Sequence, residues 1–173
     1  MARAARIDLR TFQQELASRL AAKTAAQVES SRLGLLCAGT RWLIKLADAG
    51  EVVALPHIVT VPMTRPWFLG VSNIRGNLYS VIDFSGFLGA DLLAPSAATR
   101  LVLFGTRACE LNAGIVVQRV LGLRNVAELA PAAMSADAQE WYAQRWMDEE
   151  GNGWQEIDLA KLARSAAFLQ VGL

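Results

Sequence analysis

Short apolar runs separated by turn-forming residues dominate the chain from residue 31 onward, and they predict β-strands. The runs at 33–37 and 41–46 flank Ala38-Gly39-Thr40, a spacing typical of a β-hairpin. Further runs of strand length lie at 51–55, 57–61, 78–82, 100–104, 114–117, 120–123 and 154–157. Pro56 and Pro62 mark strand ends or a sheet edge, because proline cannot donate a hydrogen bond to a central ladder.

The first residues follow a helical pattern instead. Residues 2–26 contain no Gly or Pro, and Asp8 is a suitable N-cap. Apolar side chains then recur every four residues on one face, at Phe12, Leu16 and Leu20. The pattern predicts an N-terminal helix, and it leaves two interpretations open. Either the helix packs against its own domain, or it is an arm that docks onto a partner.

The remaining segments connect these elements. We expect a short helical turn at 84–89, a linker at 90–99, a loop at 131–138 and an acidic turn at 148–153. Asp158 can cap a final helix that runs through Leu169. Many short strands with terminal helices predict a mainly β protein, either a barrel or a sandwich, rather than βαβ units. The domain boundaries we expect are a helical extension at 1–30 and one domain at 31–173.

Composition narrows the possible functions. The 173 residues suit one domain or two tightly joined small ones, and 53% of them are hydrophobic, which is ample for a core. The net charge of +1 provides no clustered positive charge, so we expect no nucleic-acid partner. No stretch reaches the ~18 apolar residues of a membrane span, and polar residues interrupt the N-terminal segment. We therefore expect a cytoplasmic protein with no direct membrane insertion.

Candidate catalytic and metal-binding groups are few. His57 is the only histidine, so a site of several histidines is excluded, and we interpret it as a surface or core residue. The carboxylates at 148–150 fall in one turn, where solvation is expected rather than acid–base pairing. Cys37 and Cys109 have apolar neighbours and are interpreted as buried free thiols, with a disulfide left open. We expect no enzyme activity, no cofactor and no metal.

One segment is more specific than any other. Residues 70–76 read GVSNIRG and are followed by VIDF at 81–84, and this pair resembles the signature of CheW-like domains. The resemblance covers about residues 31–173. A narrower resemblance, to the CheW-like adaptors of type IV pilus (twitching-motility) chemosensory systems, rests on residues 41–51, Asp158-Leu159 and residues 168–171.

The resemblance implies a fold and a role. The fold would be two intertwined five-stranded SH3-like β-barrels with a hydrophobic seam, short helices and the N-terminal helix. The role would be a non-catalytic signalling adaptor or scaffold in chemotaxis, acting through protein–protein contact. Its partners would be the regulatory domain of a CheA-type histidine kinase and the cytoplasmic tip of a methyl-accepting chemoreceptor. Receptor arrays would recruit the protein to the inner face of the cell membrane.

The resemblance also implies which residues touch each partner. The receptor-binding residues would be Gly70, Asn73, Arg75 and Leu123, with Gly70 and Asn73 shaping the loop that presents Arg75. The kinase-binding residues would be Leu46, Glu51 and Val52. Each role has a structural alternative that stays open at this point. Arg75 could instead pair with Asp83 and stabilise the barrel, and Val52 could instead belong to the core. A different class of function, an SH3- or OB-like barrel that binds nucleic acid or a small ligand, is the alternative to the adaptor.

Overall fold

Strands account for most of the secondary structure in the computed structural model, which describes residues 9–173. The strands are β1 (Ser31–Cys37), β2 (Thr40–Lys45), β3 (Ala49–Ala54), β4 (Phe68–Ile74), β5 (Asn77–Asp83), β6 (Arg100–Phe104), β7 (Ala113–Val117), β8 (Arg119–Asn125), β9 (Ala130–Ala132), β10 (Tyr142–Met147) and β11 (Gly153–Ile157). The helices are α1 (Leu9–Ser30), α2 (Phe84–Phe87), α3 (Leu159–Arg164) and α4 (Ala166–Leu169), with a 3₁₀ turn at Val126–Glu128. The predicted cap Asp8 lies outside the described residues, as does the side chain of Phe12.

The strands form two sheets. The first sheet has the order β8-β1-β2-β11-β10-β9, and the second has the order β3-β6-β7-β5-β4. Each contains one parallel pair, β2 with β11 and β5 with β7. The first sheet takes strands from both ends of the β region and the second takes them from its middle, so the two are intertwined. The predicted mainly β class is confirmed, although neither strand order closes into a ring and the first sheet has six strands.

Three apolar layers follow from the alternation of side chains along each strand, which sends successive residues to opposite faces. The largest core lies between the sheets and contains Leu35, Ile44, Ile82, Val102 and Ile115, among others. The other face of the first sheet carries a small core of Leu43, Leu129 and Trp154. The other face of the second sheet carries one of Val81, Leu101, Leu103 and Val116. Each sheet thus has a core of its own and shares the largest one.

The predicted hairpin at the start of the β region is confirmed. Cys37 of β1 pairs with Thr40 of β2, which leaves a two-residue turn between them. Ala38 and Gly39 have φ of 50° and 72°. Two positive φ values define a type I′ turn, whose twist matches that of the flanking strands. Cys37 is buried within this hairpin as a free thiol, and burial followed by the nearby Asp83 charge raises its pKa to about 12.

Two predicted elements differ in the structure. Residues 57–61 form no strand: Val59 makes one isolated bridge with Val71 of β4, with N···O distances of 2.8 and 2.9 Å. The expected final helix is split into α3 and α4. The Asp158 side chain caps α3 as predicted, accepting from the Lys161 N–H at 2.9 Å. Ser165 then ends α3 and caps α4, because its hydroxyl accepts from the Phe168 N–H at 3.3 Å.

A buried ion pair joins the base of α1 to the first sheet. Arg32 Nε lies 2.6 Å from Glu156 Oε1, and the two side chains are 9% and 4% exposed. Arg32 also donates to the Glu29 carbonyl at the end of α1, and Glu156 accepts from the Trp146 indole N–H at 2.7 Å. Above this junction, residues 13–27 of α1 are exposed, including Leu16. Their exposure disfavours packing of α1 on its own domain, and docking onto a partner stays a prediction.

Candidate functional site

The GVSNIRG motif forms most of β4 and the turn into β5. Ile74 pairs with Asn77, so Arg75 and Gly76 make a two-residue turn with φ of 52° and 88°. Asn73 fixes this turn by accepting a hydrogen bond from the Gly76 N–H at 2.9 Å. Asn73, near the end of β4, thus shapes the turn that presents Arg75, whereas Gly70 lies within β4, where it pairs with Val81 of β5. Only Arg75 and Gly76 are in the turn, and Arg75 is exposed.

Arg75 forms an ion pair with Glu51 of β3. Arg75 Nη2 lies 2.6 Å from Glu51 Oε1, with the side chains 77% and 39% exposed. Glu51 is on one edge strand of the second sheet and the Arg75 turn follows the opposite edge strand, so this contact spans the two edges. A residue predicted to bind receptor and a residue predicted to bind kinase therefore touch each other.

The alternative pairing of Arg75 with Asp83 is wrong. Asp83 is 1% exposed and sits at the start of α2. One carboxylate oxygen accepts from the Gly86 N–H at 3.0 Å, and the other accepts from the Leu93 N–H at 2.8 Å. A buried carboxylate needs such donors. Asp83 therefore caps α2 and holds the connection that follows it.

The backbone at position 70 requires glycine. Its φ is +134°, which side chains rarely adopt, and it is buried. A Cβ built on Gly70 would lie 2.1 Å from the Val59 carbonyl oxygen. The 57–61 segment thus runs antiparallel to β4 at this point, in close backbone contact. The Ser72 hydroxyl donates to the His57 carbonyl at 2.8 Å and fixes this contact further.

The three residues predicted to bind kinase lie at or near the edge strand β3. Val52 pairs in register with Val102 but is 39% exposed, which contradicts the alternative that it belongs to the core. Glu51 precedes it and reaches the Arg75 turn. Leu46 lies just before β3, half-buried, with its N–H donating to the Ser31 carbonyl at 3.1 Å.

Leu123, the fourth residue predicted to bind receptor, is in the other sheet. It lies on β8, an edge strand of the first sheet, and its side chain is 57% exposed. A receptor surface that includes both Leu123 and Arg75 would therefore have to involve both sheets. The structure brings Arg75 to Glu51, with Asn73 fixing the turn between them, and it places Leu123 on the other sheet.

The chain also has a charged surface for which its sequence carries no motif. Arginines from β2 and β8 lie beside Trp154 of β11 and the acidic turn that precedes it. These residues are far apart in the sequence, and only the pairing of the strands brings them together.

Within the described residues no group of three or more His, Cys, Asp or Glu side chains is arranged to hold a metal. No helix in residues 9–173 is long and apolar enough to span a membrane.

Two sheets around a shared core make this chain a small, mainly β protein. A solved structure with a similar fold is the scaffolding protein TtCheW from Thermoanaerobacter tengcongensis, which superposes with a TM-score of 0.67. The match covers 80% of this chain and 95% of that chain at 18% sequence identity. At this identity the likeness shows the fold.

The family follows from the sequence match. The model of the CheW-like domain matches residues 33–167, and the chain belongs to that family. A curated relative is Protein PilI of Pseudomonas aeruginosa, 33% identical over 111 residues. Those residues are 62% of this chain and 61% of the relative, so the chain spans about three fifths of PilI. The resemblance read from the GVSNIRG motif is confirmed.

Proposed function

We propose that this protein is a non-catalytic signalling adaptor that couples a chemoreceptor to a CheA-type histidine kinase. The CheW-like domain over residues 33–167 supports the adaptor role. The relative named PilI supports a type IV pilus (twitching-motility) chemosensory pathway. Residues 31–173 would be the adaptor domain, and residues 1–30 a helical extension. The protein would act in the cytoplasm, where receptor arrays recruit it to the inner face of the membrane.

The contact between Arg75 and Glu51 is the observation that carries this proposal. An adaptor must present surfaces for two partners at once, and this ion pair places a receptor-binding candidate beside a kinase-binding candidate. Both side chains are accessible. Exposed pairs contribute only about 0–1 kcal/mol to stability, so either partner can draw one member away at little cost to the fold. Val52, also partly exposed, adds an apolar contact on the same edge strand.

Reconstitution tests the proposal. Purified protein alone is expected to hydrolyse no ATP and to undergo no autophosphorylation. With a cognate CheA-type kinase and a receptor cytoplasmic fragment, it is expected to raise kinase autophosphorylation, and omission of the receptor should remove the increase. ATP turnover that co-purifies with this chain through every step would contradict the adaptor role. A salt-dependent gel shift with nucleic acid would favour the alternative class of function.

Substitution of each of the two paired residues is expected to weaken binding to a different partner. Arg75→Ala should lose receptor coupling and retain kinase binding. Glu51→Lys should weaken kinase binding by about 1–3 kcal/mol if the side chain is a central contact, because it reverses a charge at the interface. Both should fold, with Tm within about 4 °C of the parent, since the pair is exposed. Pull-down with each partner separately and thermal melts measure these effects.

A matched control for Glu51→Lys is Glu140→Lys, which makes the same charge change at an exposed position elsewhere. It should leave both binding reactions unchanged. Equal loss of both partners in Arg75→Ala, with a large drop in Tm, would show that Arg75 has a structural role instead. Full kinase affinity in Glu51→Lys would place the kinase contact on another surface.

A further inference from the structure

Trp154 organises the charged surface at one end of the first sheet. Its ring lies over the backbone of Gly34 in β1, where an added Cβ would be 3.0 Å from the ring carbon Cζ3. The side chain is 2% exposed, packed in the core that contains Leu43 and Leu129. Its indole N–H donates to Asp148 Oδ2 at 2.9 Å. The position of the ring is therefore fixed by packing and by one hydrogen bond.

Positive charge gathers on one side of this ring. The guanidinium carbons of Arg124 and Arg41 lie 5.2 and 5.9 Å from the ring centroid, which is cation–π distance. Leu36 of β1 pairs with Arg41 on one side and Arg119 on the other, so these two arginines share a face of the sheet. All three arginines are exposed, and among residues 13–173 none has a carboxylate within salt-bridge distance.

Negative charge lies next to these arginines, in the turn between β10 and β11, which lines the same groove. The Asp148 carboxylate accepts from the backbone N–H groups of Glu150 and Asn152 and from the Trp154 indole. These hydrogen bonds, that of Trp154 first, hold the pKa of Asp148 at about 2. The turn is thereby fixed with Glu149 and Glu150 exposed. A groove of about 330 Å³ separates this turn from the arginines.

We propose that this surface binds a second copy of the chain about a two-fold axis. Arg41, Arg119 and Arg124 of each copy face Glu149 and Glu150 of the other. A two-fold interface must be self-complementary, and a patch with both signs of charge side by side meets that condition. A purely acidic partner would meet repulsion from the turn, and a purely basic one from the arginines. Trp154 contacts two of the arginines and anchors the acidic turn through Asp148, so less order has to be created on association.

This interface is independent of the adaptor function proposed above, and it predicts a salt-sensitive dimer. Sedimentation equilibrium of the full chain should show a dimer at about 0.05 M NaCl that dissociates at about 0.5 M, because salt screens exposed charges. Reversing the charge of the arginines, in Arg119→Glu/Arg124→Glu, should raise the dissociation constant of the dimer at least about tenfold. Reversing the charge of the acidic turn, in Glu149→Arg/Glu150→Arg, should have the same effect. An equimolar mixture of the two double variants should restore a heterodimer.

The matched control is Lys161→Glu/Arg164→Glu, which makes the same charge change on α3 and should leave the dimer intact. Thermal melts of each variant show whether it is folded before its oligomeric state is compared. A parent protein that is monomeric at low salt overturns the proposal. So does a dimer that survives both reversals, or a mixture of the two reversed variants that stays monomeric.

Discussion

Arg32→Met is expected to lower the free energy of unfolding by about 3–5 kcal/mol, because it leaves the buried Glu156 carboxylate without its cation. Trp146 would remain as a donor to that carboxylate. The same substitution removes the hydrogen bond from Arg32 to the Glu29 carbonyl at the end of α1. In a domain of this size the loss corresponds to a decrease in Tm of about 6–20 °C, measured by thermal melting.

Two further variants serve as controls for Arg32→Met. Arg32→Met/Glu156→Leu removes both charges and should recover most of the stability, because apolar replacement of a whole buried pair is often neutral. Arg107→Ala breaks the exposed pair with Glu29, at 3.8 Å, and should change stability by at most about 1 kcal/mol. If Arg32→Met melts like Arg107→Ala, the buried pair is not the stabilising contact described above.

Gly70→Ala is expected to lower the free energy of unfolding by about 2–6 kcal/mol. One part is the strain of a side chain at φ +134°, about 1–3 kcal/mol, and the other is displacement of the Val59 carbonyl, about 1–3 kcal/mol. Denaturant unfolding of the full chain measures the loss. Because the effect acts through folding, any weaker receptor binding by this variant should be matched by a lower folded fraction.

Gly76→Ala is the control for this prediction. Gly76 also has positive φ, +88°, but nothing lies within 4 Å of its Cβ position. Only conformational strain remains, so the loss should be about 1–2 kcal/mol. Equal losses in the two variants would mean that the 57–61 segment moves away without cost, and that Gly70 is glycine for another reason.

Local patterns predicted most of the strands, because alternation and turn residues act over a few positions. They did not predict which strands pair. The parallel pairs join β2 to β11 and β5 to β7 across long stretches of chain, and no local signal encodes that choice. The 57–61 segment shows the opposite error. It alternates like a strand, yet it forms one isolated bridge with β4 and no strand.

The candidate site, like the strands, was predictable where the signal lay in a short run of residues. The GVSNIRG motif pointed to Arg75, because a specific run of residues identifies a family. It did not reveal the partner of Arg75. The sequence suggested Asp83, but Asp83 is buried and caps α2, and the structure brings Glu51 of the other edge strand to Arg75. The Trp154 surface was missed altogether, because its residues come from separate strands. The pairing across β11, β2, β1 and β8 creates it.

The interleaved origin of the two sheets also sets an order of events during synthesis. All strands of the second sheet lie within residues 49–117, so they are available while the C-terminal third of the chain is still being made. The β1–β2 hairpin emerges earlier but must wait for β11, its parallel neighbour, to leave the ribosome. Contacts between distant segments slow folding, because the connecting chain must be closed first. Until then Leu43 of β2 lacks Leu129 and Trp154, its partners in the small core, and stays an exposed apolar surface on a nascent chain, where a chaperone can bind.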